Sequence, residues 1–175
     1  VQTMSADEIN AVIKDAMQYD EYRYQLEEGI LITEPNRAEG LQKVLYQCPH
    51  CKTEFRMATK GAEIFCNHCG KRWVMEENGQ LRATEGETEF PHIPDWFEWE
   101  REQVRGQIER GEYRFEDDVE IYSFPRCWRF INLGKGKLTH DPVNGFIIEG
   151  HYRGKDYRVQ RLPGNHNGLH VEYDY

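Results

Sequence analysis

Along the first thirty residues the apolar positions recur at helical spacing. In "SADEINAVIKDAMQYDEYRYQLEEG", Ile9, Val12, Ile13, Ala16 and Met17 share one face, and Gly29 is a natural stop. Ser5 and Glu8 stand three apart, the spacing of a capping box. The pattern predicts one amphipathic helix whose apolar face is buried, followed by a connector through "EPNRAEG". From residue 44 to 83 the period shortens to that of strands. "EFRMA", "EIFC", "RWVM" and "QLRAT" are separated by turn signals at Lys60-Gly61 and Asn78-Gly79. "HIPDWFEWEREQVRGQIERG" returns to the helical period, with Pro94 in its first turn, Asp95 at its positive end and Gly111 after its last turn. Phe97, Arg101, Val104 and Ile108 form the expected stripe, widened by Trp96 and Trp99, while Gly106 weakens the helix by roughly 1 kcal/mol relative to alanine.

Beyond Tyr113 the pattern is strand and turn. Strands are expected at "VEIYSF", "CWRFINL", "GKLTH", "GFIIEGHY", "DYRVQRL" and "LHVEYDY". Turns are expected at Gly134–Gly136, Asn144-Gly145, Gly154-Lys155 and Gly164–Gly168. Evenly spaced short strands predict an antiparallel meander that curls into a small barrel or sandwich. The fold class is therefore α+β in four segments: helix and connector (1–43), cysteine-bearing ribbon (44–88), bridging helix (89–111) and antiparallel β domain (112–175).

Composition sharpens this picture in two places. A mean hydropathy of −0.85 is low for a folded chain, but 8 Phe, 4 Trp and 10 Tyr require a core. The net charge of −9 is uneven, since residues 1–111 hold 21 acidic against 13 basic groups and residues 112–175 hold 10 against 9. Such a balance disfavours nucleic acid as the main partner, although residues 45–83 are locally basic, with six cations and four carboxylates. No apolar run approaches the ~20 residues that span a bilayer, and no signal peptide is visible. A start at Val1 and an end on a strand pattern lead us to expect part of a longer cytoplasmic protein.

Four of the five cysteines fall in "CPHCKTEFRMATKGAEIFCNHCG". Cys48 and Cys51 form one C-x-x-C pair, Cys66 and Cys69 another, with fourteen residues between them. Two residues between thiolates let the backbone curl so that both sulfurs face one point, and two such knuckles supply the four soft ligands of a tetrahedral Zn²⁺. Gly70 suits the positive φ that the second knuckle demands. A redox C-x-x-C normally opens a helix beside a βαβ sheet, and neither pair has that context. A catalytic zinc keeps an open position, whereas four cysteines close the shell. His50 and His68, at the middle of the knuckles, are expected to point outward. A structural zinc contributes on the order of 10–16 kcal/mol in zinc-finger peptides, and a ribbon this small needs it. Cys127, alone in "CWRFI", reads as a core residue.

The flanks of the ribbon carry a resemblance. "EPNRAEGLQKVLYQCPHC" and "GETEFPHIPDWFEWER" are its most specific segments, and "GKGKLTHDPVNGFIIEG" extends it over nearly the whole chain. These stretches resemble the C-terminal extension of bacterial 1-acyl-sn-glycerol-3-phosphate acyltransferase-like proteins. The resemblance implies a PH-like β domain, a preceding acyltransferase domain on the same polypeptide as partner, and membrane association through that parent. The family transfers an acyl group to the hydroxyl of lysophosphatidate with a His and Asp in H-x4-D. His151 to Asp156, "HYRGKD", fits that spacing but sits in a turn context with no E-G-T-R-type block after it, so no catalytic residue is carried over. The expected role is non-catalytic and accessory. The alternative is an independent zinc-ribbon module that binds protein or nucleic acid.

Three further groups have plain structural readings. His140-Asp141 in "THDPVNG" reads as a turn, and "FEDDVE" lacks the spacing of a calcium loop. "RGKDYRVQR" with Lys135 and Lys137 forms a candidate basic patch for an anionic lipid headgroup. The "WFEW" aromatics are expected to pack rather than insert at a membrane.

Overall fold

The computed structural model describes residues 4–125 and 128–164, in two compact units, residues 1–102 and 103–175. Cys127 and the expected strand "LHVEYDY" lie outside the described residues. The class is α+β, with helices and two antiparallel four-stranded sheets.

The capping box forms as its spacing predicts: Ser5 Oγ accepts from the Glu8 N–H at 3.3 Å, and the Glu8 carboxylate accepts from the Ser5 N–H at 2.7 Å. The single helix expected behind it is two helices, α1 (Ala6–Ala16) and α2 (Glu21–Glu27). Asp20 is the reason. Its backbone is extended and its carboxylate accepts from the Arg23 N–H at 2.9 Å, a local bond that competes with helix continuation and restarts it as an N-cap. The expected burial of the α1 face does not occur. No α1 residue is buried, and Val12, Ile13 and Met17 stand exposed. In α2, by contrast, Gln25 is buried and donates to the carbonyl oxygens of Ile30 and Glu77. The connector is tied down similarly, by Arg37 Nε on the Met75 carbonyl at 2.6 Å.

Strands β1 (Met57–Lys60), β2 (Glu63–Cys66), β3 (Arg72–Met75) and β4 (Leu81–Ala83) form the first sheet in sequence order. Alternation drives its burial: in β4, Leu81 and Ala83 point inward and Arg82 outward. Leu45, Ile64, Trp73 and Leu81 form a core with Ile93 and Trp96 of α3 (Ile93–Glu109). The Trp73 and Trp96 rings lie 5.0 Å apart at 60°. The buried stripe of α3 thus differs from the expected one. It is Ile93, Trp96 and Glu100, while Phe97 and Ile108 are exposed. Both stripes have helical period, and only the sheet decides which is covered.

Strands β5 (Phe115–Ser123), β6 (Ile131–Asp141), β7 (Gly145–Tyr152) and β8 (Lys155–Arg161) make the second sheet, again in sequence order. Among the described residues it is a single open meander and not the small barrel or sandwich expected, because β5 and β8 remain separate edges. The end of the expected strand "CWRFINL", from Ile131 onward, and the expected strand "GKLTH" prove to be one. The glycines read as a turn at Gly134–Gly136 lie inside β6, where the register with β5 shifts between Ile121 and Tyr122 opposite Gly134 (φ +91°). Gly134 relaxes that bulge. Gly136 permits a close approach, since a Cβ there would collide with the Glu149 carbonyl oxygen and the Ile121 side chain. No described helix is long and apolar enough to cross a membrane.

Candidate metal centre

The two C-x-x-C segments fold as equivalent knuckles. In the first, the Cys48 N–H donates to the Thr53 carbonyl and the Lys52 N–H to the Cys48 carbonyl, at 3.0 and 2.9 Å. In the second, the Cys66 N–H donates to the Lys71 carbonyl and the Gly70 N–H to the Cys66 carbonyl, also at 3.0 and 2.9 Å. Each turn needs a left-handed residue four positions after its first cysteine. Gly70 (φ +78°) fills it in one and Lys52 (φ +62°) in the other. The strain at Lys52 is offset by anchorage: its Nζ donates to the Pro49 carbonyl at 2.7 Å and lies 4.4 Å from the Trp99 ring centroid.

The β1–β2 hairpin returns the second knuckle onto the first. All four sulfurs then lie within 4.8 Å of one another, with Cys48–Cys69 and Cys51–Cys66 each at 3.8 Å. A regular tetrahedron with metal–sulfur bonds of ~2.3 Å has edges of about 3.8 Å, whereas a disulfide would need ~2.05 Å. Four soft donors this close, two pairs of them at that edge length, can hold a metal ion. Cys48 and Cys66 are buried, Cys51 is half-buried and Cys69 is exposed.

The electrostatics also call for a cation. Burial pushes the Cys48 thiol well above its ordinary value, and Cys69 upward as well. At Cys51 burial opposes ionisation, but the Thr53 hydroxyl and N–H together with His68 win and bring the thiol down to about 5. Four thiolates this close repel one another strongly unless a positive ion sits among them. His50 and His68 stand outside the sulfur cluster. Thr53 Oγ1 lies 3.4 Å from Cys51 Sγ and 3.2 Å from His68 Nδ1, and His50 Nδ1 lies 3.4 Å from Glu89 Oε1. Glu89 also accepts from Trp73 Nε1 at 3.0 Å and faces Lys71 at 3.6 Å, which links the second knuckle to the core.

Sequence reasoning missed Thr53 and, more consequentially, Glu100. Glu100 is 1% exposed, beneath the first knuckle. Its Oε1 accepts from the N–H of Gln47, the residue before Cys48, at 2.8 Å, and Trp96 Nε1 donates to the Gln47 carbonyl at 3.0 Å. Glu100 Oε2 and Gln47 Oε1 are buried without a hydrogen-bond partner. Burial raises the Glu100 carboxyl to about 7, although the Gln47 N–H pulls the other way. The available signal was phase: Glu100 lies seven residues after Ile93 and four after Trp96, on the Trp96 face.

The remaining candidates resolve into structure. His140 stacks on Phe146 at 3.8 Å and faces the Tyr113 hydroxyl, while Asp141 accepts from the Val143 and Asn144 N–H groups in a turn. His151 and Asp156 are cross-strand partners 2.7 Å apart on either side of the Arg153-Gly154 turn, with the Asp156 side chain 93% exposed. The acids of "FEDDVE" face β6, where Glu116 pairs with Lys137 at 2.6 Å. That pair and Arg158–Glu149 at 2.8 Å neutralise part of the expected basic patch. In "WFEW", Trp96 is buried, Trp99 is half-buried against Phe90, and Phe97 is exposed. No protein-family model, curated protein or solved structure matches this chain.

Proposed function

We propose that this chain is a non-catalytic, zinc-stabilised accessory region of a phospholipid acyltransferase, a zinc ribbon followed by a PH-like β domain. The observation that carries the non-catalytic reading is the sulfur cluster. Four cysteines gathered within 4.8 Å of one another saturate a tetrahedral ion and leave no position for water or substrate. The His151–Asp156 pair supports the same reading, because an exposed hairpin pair cannot exclude water from an acyl transfer. The parent enzyme comes from the resemblance of "EPNRAEGLQKVLYQCPHC" and "GETEFPHIPDWFEWER". The open apolar face of α1 suits a surface that receives the acyltransferase domain. The alternative, a free-standing ribbon on nucleic acid, loses support because Lys71, Arg72 and Arg82 are each engaged by a carboxylate.

The test is an acyl-transfer assay from a thioester to lysophosphatidate. The purified chain, with one zinc per molecule, is expected to be inactive, and the polypeptide carrying the upstream region active. Activity in the chain alone overturns the accessory role, and an inactive longer polypeptide overturns the parent.

A further inference from the structure

The end of the β5–β6 hairpin is chemically unlike the rest of the molecule. Among the described residues, β6 bonds to β7 only from Gly136 onward, so Ile131–Lys135 pair with β5 alone, and this end is a two-stranded ribbon with no third strand beside it. At its tip the Trp128 N–H closes a turn on the Pro125 carbonyl at 3.4 Å. Phe124 and Phe130 stack on each other at 4.5 Å, yet they are 47% and 69% exposed, and Trp128 is 88% exposed. Pro125, Trp128, Arg129 and Ile131 line an open cleft of about 390 Å³. Aromatic side chains this large ordinarily find a core.

Charge indicates what covers them. In a chain of net charge −9, residues 121–140 contain four cations, Arg126, Arg129, Lys135 and Lys137, and no Asp or Glu. Lys137 is engaged by Glu116. Glu120, the nearest carboxylate in sequence, stands opposite Lys135 in the ladder and accepts from the Tyr122 hydroxyl at 3.0 Å, so among the described residues the cation nearest the aromatic tip is Arg129. An anionic surface repels the acidic remainder and can be approached by this stretch, so the same charge distribution that attracts the tip also orients it. Exposed Trp and Phe beside Arg match the boundary between headgroups and acyl chains, where rings bury in the apolar layer and a guanidinium reaches phosphate.

We propose that the β5–β6 tip docks on an anionic phospholipid bilayer, with Trp128, Phe124 and Phe130 in the interfacial layer and Arg129 on the lipid phosphates. This proposal concerns the second unit and holds whether or not the chain belongs to an acyltransferase.

The test is sedimentation of the zinc-loaded chain with vesicles of phosphatidylcholine alone or mixed equally with phosphatidylglycerol. Binding to the mixed vesicles is expected, with quenching of tryptophan emission by brominated acyl chains. Trp128→Ser with Phe130→Ser should lower partitioning at least about tenfold, and Trp128→Phe should abolish most of the quenching, since Trp73 and Trp96 are buried and Trp99 is half-buried against the core of the other unit. Arg129→Gln should cost about fivefold, the share of one cation at an anionic surface, and only on the mixed vesicles. Matching thermal unfolding of the variants shows that the fold is intact. No binding at low salt, or binding that the paired serine variant leaves unchanged, overturns the proposal and leaves the tip to a protein partner. Equal binding to both vesicle types overturns the role of Arg129.

Discussion

Replacing Glu100 by Gln should stabilise the cysteine-bearing unit, and more so as pH rises. The wild-type carboxyl is 1% exposed, with one oxygen bonded to the Gln47 N–H and the other without a partner. Its folded-state value is raised from 4.5 to about 7. A carboxyl raised on folding holds its proton more tightly in the native state. Its contribution is therefore complete below about 4.5 and lost as pH climbs through about 7. The shift corresponds to about 3 kcal/mol, of which about 2 kcal/mol falls between pH 5.5 and 8. Gln keeps an oxygen for the Gln47 N–H and introduces no charge at any pH. The stability difference between Glu100→Gln and wild type should thus widen by about 2 kcal/mol over that interval, or some 8–16 °C in unfolding temperature if this unit responds like other small domains. The assay is urea unfolding at saturating zinc, followed through the buried Trp73 and Trp96. Thiolate–metal bonding strengthens with pH and acts in the opposite sense, but both proteins share it and it cancels in the difference. A difference that stays flat from pH 5.5 to 8, or a variant less stable at pH 8, refutes the reasoning.

Three other outcomes follow from the same packing. Stripping the metal with a chelator, or Cys66→Ser, should unfold the β1–β4 unit, a loss on the order of 10 kcal/mol; circular dichroism and red-shifted tryptophan emission read it, and added zinc should restore only the wild type. Asp20→Ala should destabilise α2 by about 1 kcal/mol through its cap, and more through the 2.6 Å contact with His92; Asp20→Asn keeps the cap, so thermal unfolding of both variants separates the two contributions. Gly136→Ala should cost about 1–3 kcal/mol, because its Cβ meets the Glu149 carbonyl and Ile121, while Gly134→Ala meets nothing and incurs only the left-handed penalty of about 1–2 kcal/mol. Calorimetry of the two glycine variants checks that order.

What the sequence determined by itself is whatever closes within a few residues. The Ser5–Glu8 box, the knuckle turns of Cys48 and Cys66, and the hairpins at Gly61, Gly79 and Gly154 are set by bonds spanning two to five positions, so spacing and residue type suffice. The gathering of four sulfurs was legible for the same reason, since one hairpin brings the knuckles together. Burial was not legible. Whether α3 turns Trp96 and Glu100 or Phe97 and Ile108 inward, and whether the α1 face is covered, depends on surfaces tens of residues away that share no local period with it. The glycines of β6 show the same division. Gly134–Gly136 reads locally as a turn, and only the approach of Ile121 and the Glu149 carbonyl from neighbouring strands makes it a bulge and a close crossing. Local hydrogen bonding is written into the chain, whereas the partner of each apolar face is decided by long-range packing.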